Sequence, residues 1–262
     1  MKRTTFLPAA AACVLGAAGA VLRQAHTRTC YEESGFILPH HPLTGLLAGV
    51  LIAVILLGVI TAAVISVRGK KAPRGDEAAG PRPRACCIVS GLLTAAGAVW
   101  QFAVASPRTA LLTVCSVLGL AAAAGAIALA CISPERRAVT WPCAAVGTFF
   151  CLELVRHFAA NTLNPVALSF GPECLALGAV SLFAFCLGTA LGQARGFGTV
   201  CFGLCACGFC LTALTGPQIT WPDRLILLGG TLFALPFLLR LPLPGGEETS
   251  SPDRRETEDP LP

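Results

Sequence analysis

The chain has 262 residues, of which 55% are hydrophobic and only 13% are charged, and its formal net charge is +5. This charged share is about half that of an ordinary soluble domain, which excludes a soluble globular protein as the class. The basic residues gather in the segments between apolar runs, and no nucleic-acid-binding module is present, so no nucleic acid partner is predicted.

The apolar residues form runs of about twenty residues, separated by Pro, Gly and charged residues. A helix of that length crosses the hydrocarbon core, and lipid offers its backbone no hydrogen-bond partner. The sequence therefore predicts an all-α, multi-pass transmembrane helical bundle over residues 1–240, with the lipid bilayer as its surroundings. The predicted spans are residues 6–22, 44–66, 85–105, 109–132, 138–159, 172–194, 197–216 and 222–239.

The first run has a second interpretation. Lys2 and Arg3 precede an apolar stretch rich in small residues, which is typical of a signal peptide. Arg23 follows directly, and no clear A-x-A cleavage motif is present. Eight spans are predicted, with seven as the alternative if the first is cleaved; cleavage would give an external N-terminus.

The basic residues of the connections predict the orientation. Residues 67–85 contain six Lys or Arg residues and residues 133–137 contain two, whereas the later connections on the other side contain only Arg108 and Arg224. Positive charge favours the cytoplasmic side, so both termini are predicted to be cytoplasmic in a plasma membrane. Residues 67–85 form a basic cytoplasmic loop, and residues 241–262 are predicted to be a disordered acidic tail.

A proline recurs where the predicted helices begin on the outer side. Each has a Leu five positions later, and the first three of these prolines are spaced evenly along the chain. Proline suits the start of any helix, so the even spacing is the main argument for four repeated helical hairpins. The residues are Pro42, Pro107, Pro172 and Pro222.

Glycines inside the spans predict close contacts between helices. Gly45 and Gly49 lie in the second span, and Gly91 and Gly97 lie in the third. Small residues let two membrane helices approach closely, which favours a compact bundle over a wide pore.

The fifth span contains the main candidate site. Glu153, Arg156 and His157 are spaced by three and four residues, so a helix places them on one face. At 1.5 Å per residue, Glu153 lies roughly 9 Å below the outer surface. An ionisable residue at such depth is costly and indicates function, so these residues are predicted to bind substrate.

Two other interpretations of this cluster are open. The helix could end earlier, which would leave Glu153 in water and make the cluster an outer cap. Alternatively, Glu153 and Arg156 could form an ion pair that serves packing alone. The outer-side polar residues that could join the cluster are Gln101, Arg108, Glu173, Asp223 and Arg224.

Cysteine and histidine give no metal or cofactor prediction. The chain has fourteen Cys residues, and buried Cys commonly acts as a small hydrophobe. A helix would spread the four Cys of the seventh span around its circumference, and the four His residues lack ligand spacing. These residues are Cys201, Cys205, Cys207 and Cys210, and His26, His40, His41 and His157.

The sequence contains no common catalytic signature. There is no Walker loop, dinucleotide fingerprint, HExxH or GxSxG, so no catalytic residue is predicted and an enzyme is the less favoured class. The functional hypothesis is transport or binding of a small solute or ion. The alternative is a non-transporting interaction or assembly subunit with membrane protein partners.

Overall fold

The computed structural model describes residues 7–30, 41–69, 84–106, 109–131, 136–162, 167–189 and 196–239. Within these residues the secondary structure is helical throughout, which confirms the predicted all-α bundle. The eight helices are α1 (Leu7–Thr29), α2 (Pro42–Gly69), α3 (Arg84–Val104), α4 (Ala110–Cys131), α5 (Arg136–Asn161), α6 (Ala167–Thr189), α7 (Phe197–Ala213) and α8 (Trp221–Leu238).

Six of these helices, α1 to α6, are long and apolar enough to cross a membrane. Helix α7 has 17 residues, and most of them are buried. It packs against α1, α2, α6 and α8, so protein surrounds it. A helix enclosed in this way has little lipid contact, and its length need not match the bilayer thickness closely.

Helices α3 to α8 form a closed ring. Each contacts the next along the chain, and α8 returns to contact α3. Helices α1 and α2 contact each other and pack against α7. Outward faces carry large apolar side chains such as Ile52, Leu56 and Ile60 of α2, which suit contact with lipid.

Aromatic rings fill part of the core inside this ring of helices. Phe149 and Phe150 of α5 pack edge to face, with ring centroids 5.2 Å apart. Phe183 of α6 meets Phe233 of α8 at 5.7 Å, also edge to face. This edge-to-face geometry is favourable for aromatic pairs. The contact between Phe183 and Phe233 holds α6 and α8 together in the core.

Two helices, α1 and α6, have boundaries that differ from the predicted spans by five residues or more. Helix α1 continues to Thr29, beyond the predicted end at residue 22. Helix α6 begins at Ala167, so Pro172 lies inside it and not at its start. A membrane helix tolerates an internal proline because neighbouring groups can bond the freed backbone carbonyl.

The proline pattern is therefore only partly seen. Pro42 is the first residue of α2 and Pro222 the second of α8, as predicted. The prediction that a helix begins at Pro172 is wrong, because α6 begins at Ala167. Pro107 lies outside the described residues. Most of the basic loop at residues 67–85 and the tail at residues 241–262 also lie outside them.

The prediction of close helix contacts is confirmed for Gly91 and Gly97 of α3 but not for Gly45 and Gly49 of α2. A Cβ atom on Gly97 would lie 2.7 Å from Ile226 Cγ1 and 2.8 Å from the Pro222 carbonyl oxygen. A Cβ atom on Gly91 would lie 2.8 Å from the Ala123 carbonyl oxygen. Among the described residues, no atom lies within 4 Å of a Cβ atom built on Gly45 or Gly49. Close contact therefore occurs between α3 and its neighbours α4 and α8.

Gly97→Ala is expected to lower the free energy of unfolding by about 1–3 kcal/mol, because the added methyl group meets the backbone of α8. Gly49→Ala is the matched control, since its methyl group enters open space and removes a glycine from a helix. Thermal unfolding of the purified protein in detergent measures both. Equal stability of the two variants would contradict the close α3–α8 contact.

Candidate functional site

Helix α5 presents Glu153, Arg156 and His157 on one face, and all three line a single pocket. The helix continues beyond them to Asn161. The Glu153 side chain is only 2% exposed and that of Arg156 is 22% exposed. The outer-cap interpretation, with an earlier helix end and a solvated Glu153, is therefore wrong.

The predicted ion pair within α5 is present. Arg156 Nε donates a hydrogen bond to Glu153 Oε2 at 2.8 Å. Spacing by three residues brings these side chains together on the helix surface. Burial makes this pair costly to break, because either charge alone would remain in a medium of low dielectric.

Arg156 also has a second partner on α8. Its Nη2 donates to Asp223 Oδ1 at 2.8 Å, and the same oxygen accepts a hydrogen bond from Gln101 Nε2 at 2.7 Å. Asp223 thus connects α3, α5 and α8 at one end of the bundle.

Local sequence fixes the position of Asp223. It is the third residue of α8, and its carboxylate accepts a hydrogen bond from the Thr220 backbone N–H at 3.1 Å. Thr220 and Asp223 form a capping box, in which the two residues satisfy backbone donors at the helix start. The negative charge is also favourable at this end of the helix dipole.

A second buried ion pair joins α1 to α6. Arg23 Nη2 lies 2.5 Å from Glu173 Oε1, and the side chains are 1% and 2% exposed. Arg23 also donates to the Ser169 carbonyl at 2.6 Å and the Ala213 carbonyl at 3.2 Å. Helix α1, which contains Arg23, is joined to α6 by this pair.

Pro172 lies inside α6, next to the residue that pairs with Arg23. Proline has no N–H, so α6 lacks the hydrogen bond that would reach back to the carbonyl of Leu168. The carbonyl that accepts a hydrogen bond from Arg23 is that of the next residue, Ser169.

The pocket lies between α5, α6 and α8. Its cavity volume is about 10 Å³, which gives room for roughly one water molecule. Its polar lining comes from Glu153, Arg156, His157, Glu173 and Asp223. The remaining lining residues are apolar: Leu177, Ile219, Ile226 and Leu227.

Three buried polar atoms of the lining residues have no hydrogen-bond partner among the described residues: Glu153 Oε1, His157 Nε2 and Glu173 Oε2. Unpaired buried polar atoms are uncommon in folded proteins, and each requires an explanation. We call the set of Glu153, Arg156, His157, Glu173, Asp223 and Arg23 the polar cluster.

The polar cluster carries an imbalance of charge. Among the described residues, three carboxylates, those of Glu153, Glu173 and Asp223, are paired with two guanidinium groups. With His157 neutral, the ionised cluster therefore has one excess negative charge. Such a charge in the interior of a membrane protein favours uptake of a positive ion.

The other outer-side candidates lie in the polar cluster, beside it or apart from it. Glu173 and Asp223 belong to the polar cluster, and Gln101 donates a hydrogen bond to Asp223 from outside it. Arg224 does not line the pocket, and its guanidinium lies 4.7 Å from the centre of the exposed Trp221 ring. Arg108 lies outside the described residues.

The other described histidines lie at a separate position. His26 Nε2 is 3.0 Å from Thr44 Oγ1, and His41 Nδ1 is 3.0 Å from Cys30 Sγ. His40 lies outside the described residues. Among the residues that the structure describes, no three His, Cys, Asp or Glu side chains are placed to hold a metal ion. The four Cys of α7 are all buried.

Sequence reasoning missed Arg23, which it treated as the residue after a signal-peptide core. Its pairing with Glu173 spans 150 positions of the chain, which no local pattern reveals. A usable signal was present in composition, because a charged residue inside an extended apolar helix requires a partner. No protein-family model, curated protein or solved structure matches this chain.

Proposed function

We propose that the protein binds and transports a small solute or ion at the polar cluster. The observation that carries this proposal is the presence of three unpaired buried polar atoms at one pocket, on Glu153, His157 and Glu173. A buried polar atom without a partner costs about 1–3 kcal/mol. A bound ligand would supply these partners, which gives a physical reason for keeping the pocket polar.

The location of the pocket supports movement as well as binding. The side chains around it come from α1, α5, α6 and α8, and the first three of these helices are long and apolar enough to cross a membrane. Charged residues in such positions commonly mark ion or substrate pathways. The small cavity volume favours a small ligand over a large one.

Flux into proteoliposomes tests the proposal. Indicators for H⁺, Na⁺ and K⁺ and labelled small organic ions are the probes. Glu153→Gln is expected to lower the flux of the transported probe about tenfold or more, since a hydrogen bond to a charged group is worth about 1.5–3 kcal/mol. Cys151→Ser is the matched control, because Cys151 is exposed on the same helix. Equal flux through Glu153→Gln and wild type would reject the role of this carboxylate.

The alternative proposal, a non-transporting interaction or assembly subunit, is favoured by a different observation. Arg23 connects α1 to α6, and Arg156 connects α5 to α8. Both pairs could serve packing alone. A folded variant that lacks Glu153 and Arg156 but keeps full activity in its membrane complex would support this alternative.

For the orientation, we propose a plasma-membrane location with both termini in the cytoplasm, on the basis of the distribution of basic residues. Single reporter thiols in a cysteine-free background test it. Ser106 and Gln218, both exposed in the structure, should react with an impermeant reagent from outside. Positions 75 and 251 should be protected in intact cells. Labelling in the reverse pattern would overturn this orientation.

A further inference from the structure

We infer that the ion held by the polar cluster is a proton, shared among Glu153, Glu173 and His157. The inference rests on the proposed function for transport, but proton binding can be measured without transport. It follows from three observations: the charge balance of the cluster, the size of the pocket, and the chemistry of its unpaired atoms.

The charge balance sets the sign and the number of ions. Two guanidinium groups face three carboxylates, so one monovalent positive ion neutralises the cluster when His157 is neutral. An anion would add to the excess negative charge. A divalent cation would replace one excess negative charge with one excess positive charge.

The pocket geometry favours a proton over a metal ion. Hard metal cations in proteins require several oxygen ligands, and an octahedral set is typical of Mg²⁺. Among the described atoms of the lining, only Glu153 Oε1 and Glu173 Oε2 are unpaired oxygens. Arg156 and Arg23 lie beside these carboxylates and would repel a metal ion. A proton requires one acceptor atom and no coordination shell.

The unpaired atoms are all suited to proton exchange. A proton added to Glu153 Oε1 or Glu173 Oε2 gives a carboxylic acid, whose O–H is a donor for another acceptor in the pocket. His157 Nε2 is a further acceptor in one tautomer of the neutral ring. Binding adds one proton to one of these atoms and breaks no covalent bond.

Other titratable or charged groups surround these three residues. Asp223 of α8 and Arg156 of α5 are joined by an ion pair, and Arg23 of α1 is bound to Glu173. The Cys115 thiol of α4 lies close to Glu153. Asp223 is held by Arg156, Gln101 and Thr220, so its oxygens are already occupied.

Proton uptake by the purified protein in detergent tests the inference. An unbuffered acid titration counts the protons, and infrared difference spectra between acidic and neutral solution identify a protonated carboxyl group. Wild type is expected to show a carboxylic acid band that loses half or more of its intensity in Glu153→Gln or Glu173→Gln. Cys151→Ser should leave the band unchanged.

Wild type alone provides a second measurement if the carboxyl variants do not fold. Replacing choline with Na⁺ or K⁺ at constant ionic strength should release no proton into solution. If the polar cluster bound a metal ion, the added metal would displace the bound proton, and the solution would become more acidic. Proton release on adding either metal, or a full-intensity band in both folded carboxyl variants, would overturn the inference. If the protein carries flux but shows no protonated carboxyl group, the inference that the ion is a proton fails and the proposed transport stands. If it binds the proton but carries no flux, the proposed transport fails and the proton site stands.

Discussion

Arg23→Leu is expected to lower the free energy of unfolding by about 3–5 kcal/mol, because it leaves the buried carboxylate of Glu173 without its cation. The carbonyl groups of Ser169 and Ala213 also lose a hydrogen-bond donor. Replacing both Arg23 and Glu173 with Leu should recover much of this loss, because the uncompensated charge is removed. Thermal or denaturant unfolding in detergent measures the four members of this cycle.

Arg28→Leu is the matched control for Arg23→Leu. It removes the same side chain from the same helix, one and a half turns further along, at an exposed position. We expect little change in stability from this variant. If Arg23→Leu and Arg28→Leu unfold at the same temperature, Arg23 does not stabilise Glu173 in the bundle.

Arg156→Leu is the second large perturbation, with an expected loss of about 3–5 kcal/mol in the free energy of unfolding. It deprives two carboxylates, Glu153 and Asp223, of one partner. If Glu153 and Arg156 formed an isolated pair, replacing both would restore most of the stability. The structure reduces that expectation, because Asp223 would still lack Arg156 and keep only Gln101 and Thr220.

The variants separate a pairwise interaction from a network of three charges. The Glu153→Leu, Arg156→Leu double variant should recover part of the loss, and adding Asp223→Asn should recover more. Arg224→Leu is the control, since Arg224 stacks on Trp221 and does not line the pocket. Additive losses for Glu153 and Arg156, with no recovery, would show that the two side chains do not interact.

The same variants distinguish a structural cluster from a working site. If the charges serve packing alone, a folded triple variant should keep its activity. If they bind the transported ion, the folded triple variant should be inactive, because Glu173, paired with Arg23, is then the one carboxylate left in the polar cluster and the excess negative charge is lost. Stability and flux must therefore be measured on the same preparation.

The candidate site could be predicted in part from helical spacing. The positions of Glu153, Arg156 and His157 on one face follow from intervals of three and four residues, and the structure places all three at one pocket. Their depth could not be predicted, because it depends on where α5 ends. The structure ends this helix at Asn161, which keeps Glu153 buried.

The contacts between helices were the least predictable part. Gly97 and Gly49 look alike in sequence, but only Gly97 faces another helix backbone. Which face of a helix turns inward depends on packing when a span is apolar on all sides. The pairing of Arg23 with Glu173 has the same origin, since it exists only once α1, α6 and α7 have assembled.

The pairing of Arg23 with Glu173 has a consequence for biogenesis. Synthesis proceeds from the N-terminus, so α1 enters the bilayer while its partner, 150 positions later, has not yet been made. An arginine at the centre of an inserting helix costs about 2.5–3.5 kcal/mol on the translocon scale. Arg23 lies six residues before the end of α1 at Thr29, so its long side chain can reach towards the interface while Glu173 is still absent. The buried pair therefore forms only after α6 has been inserted, later than the insertion of α1 itself.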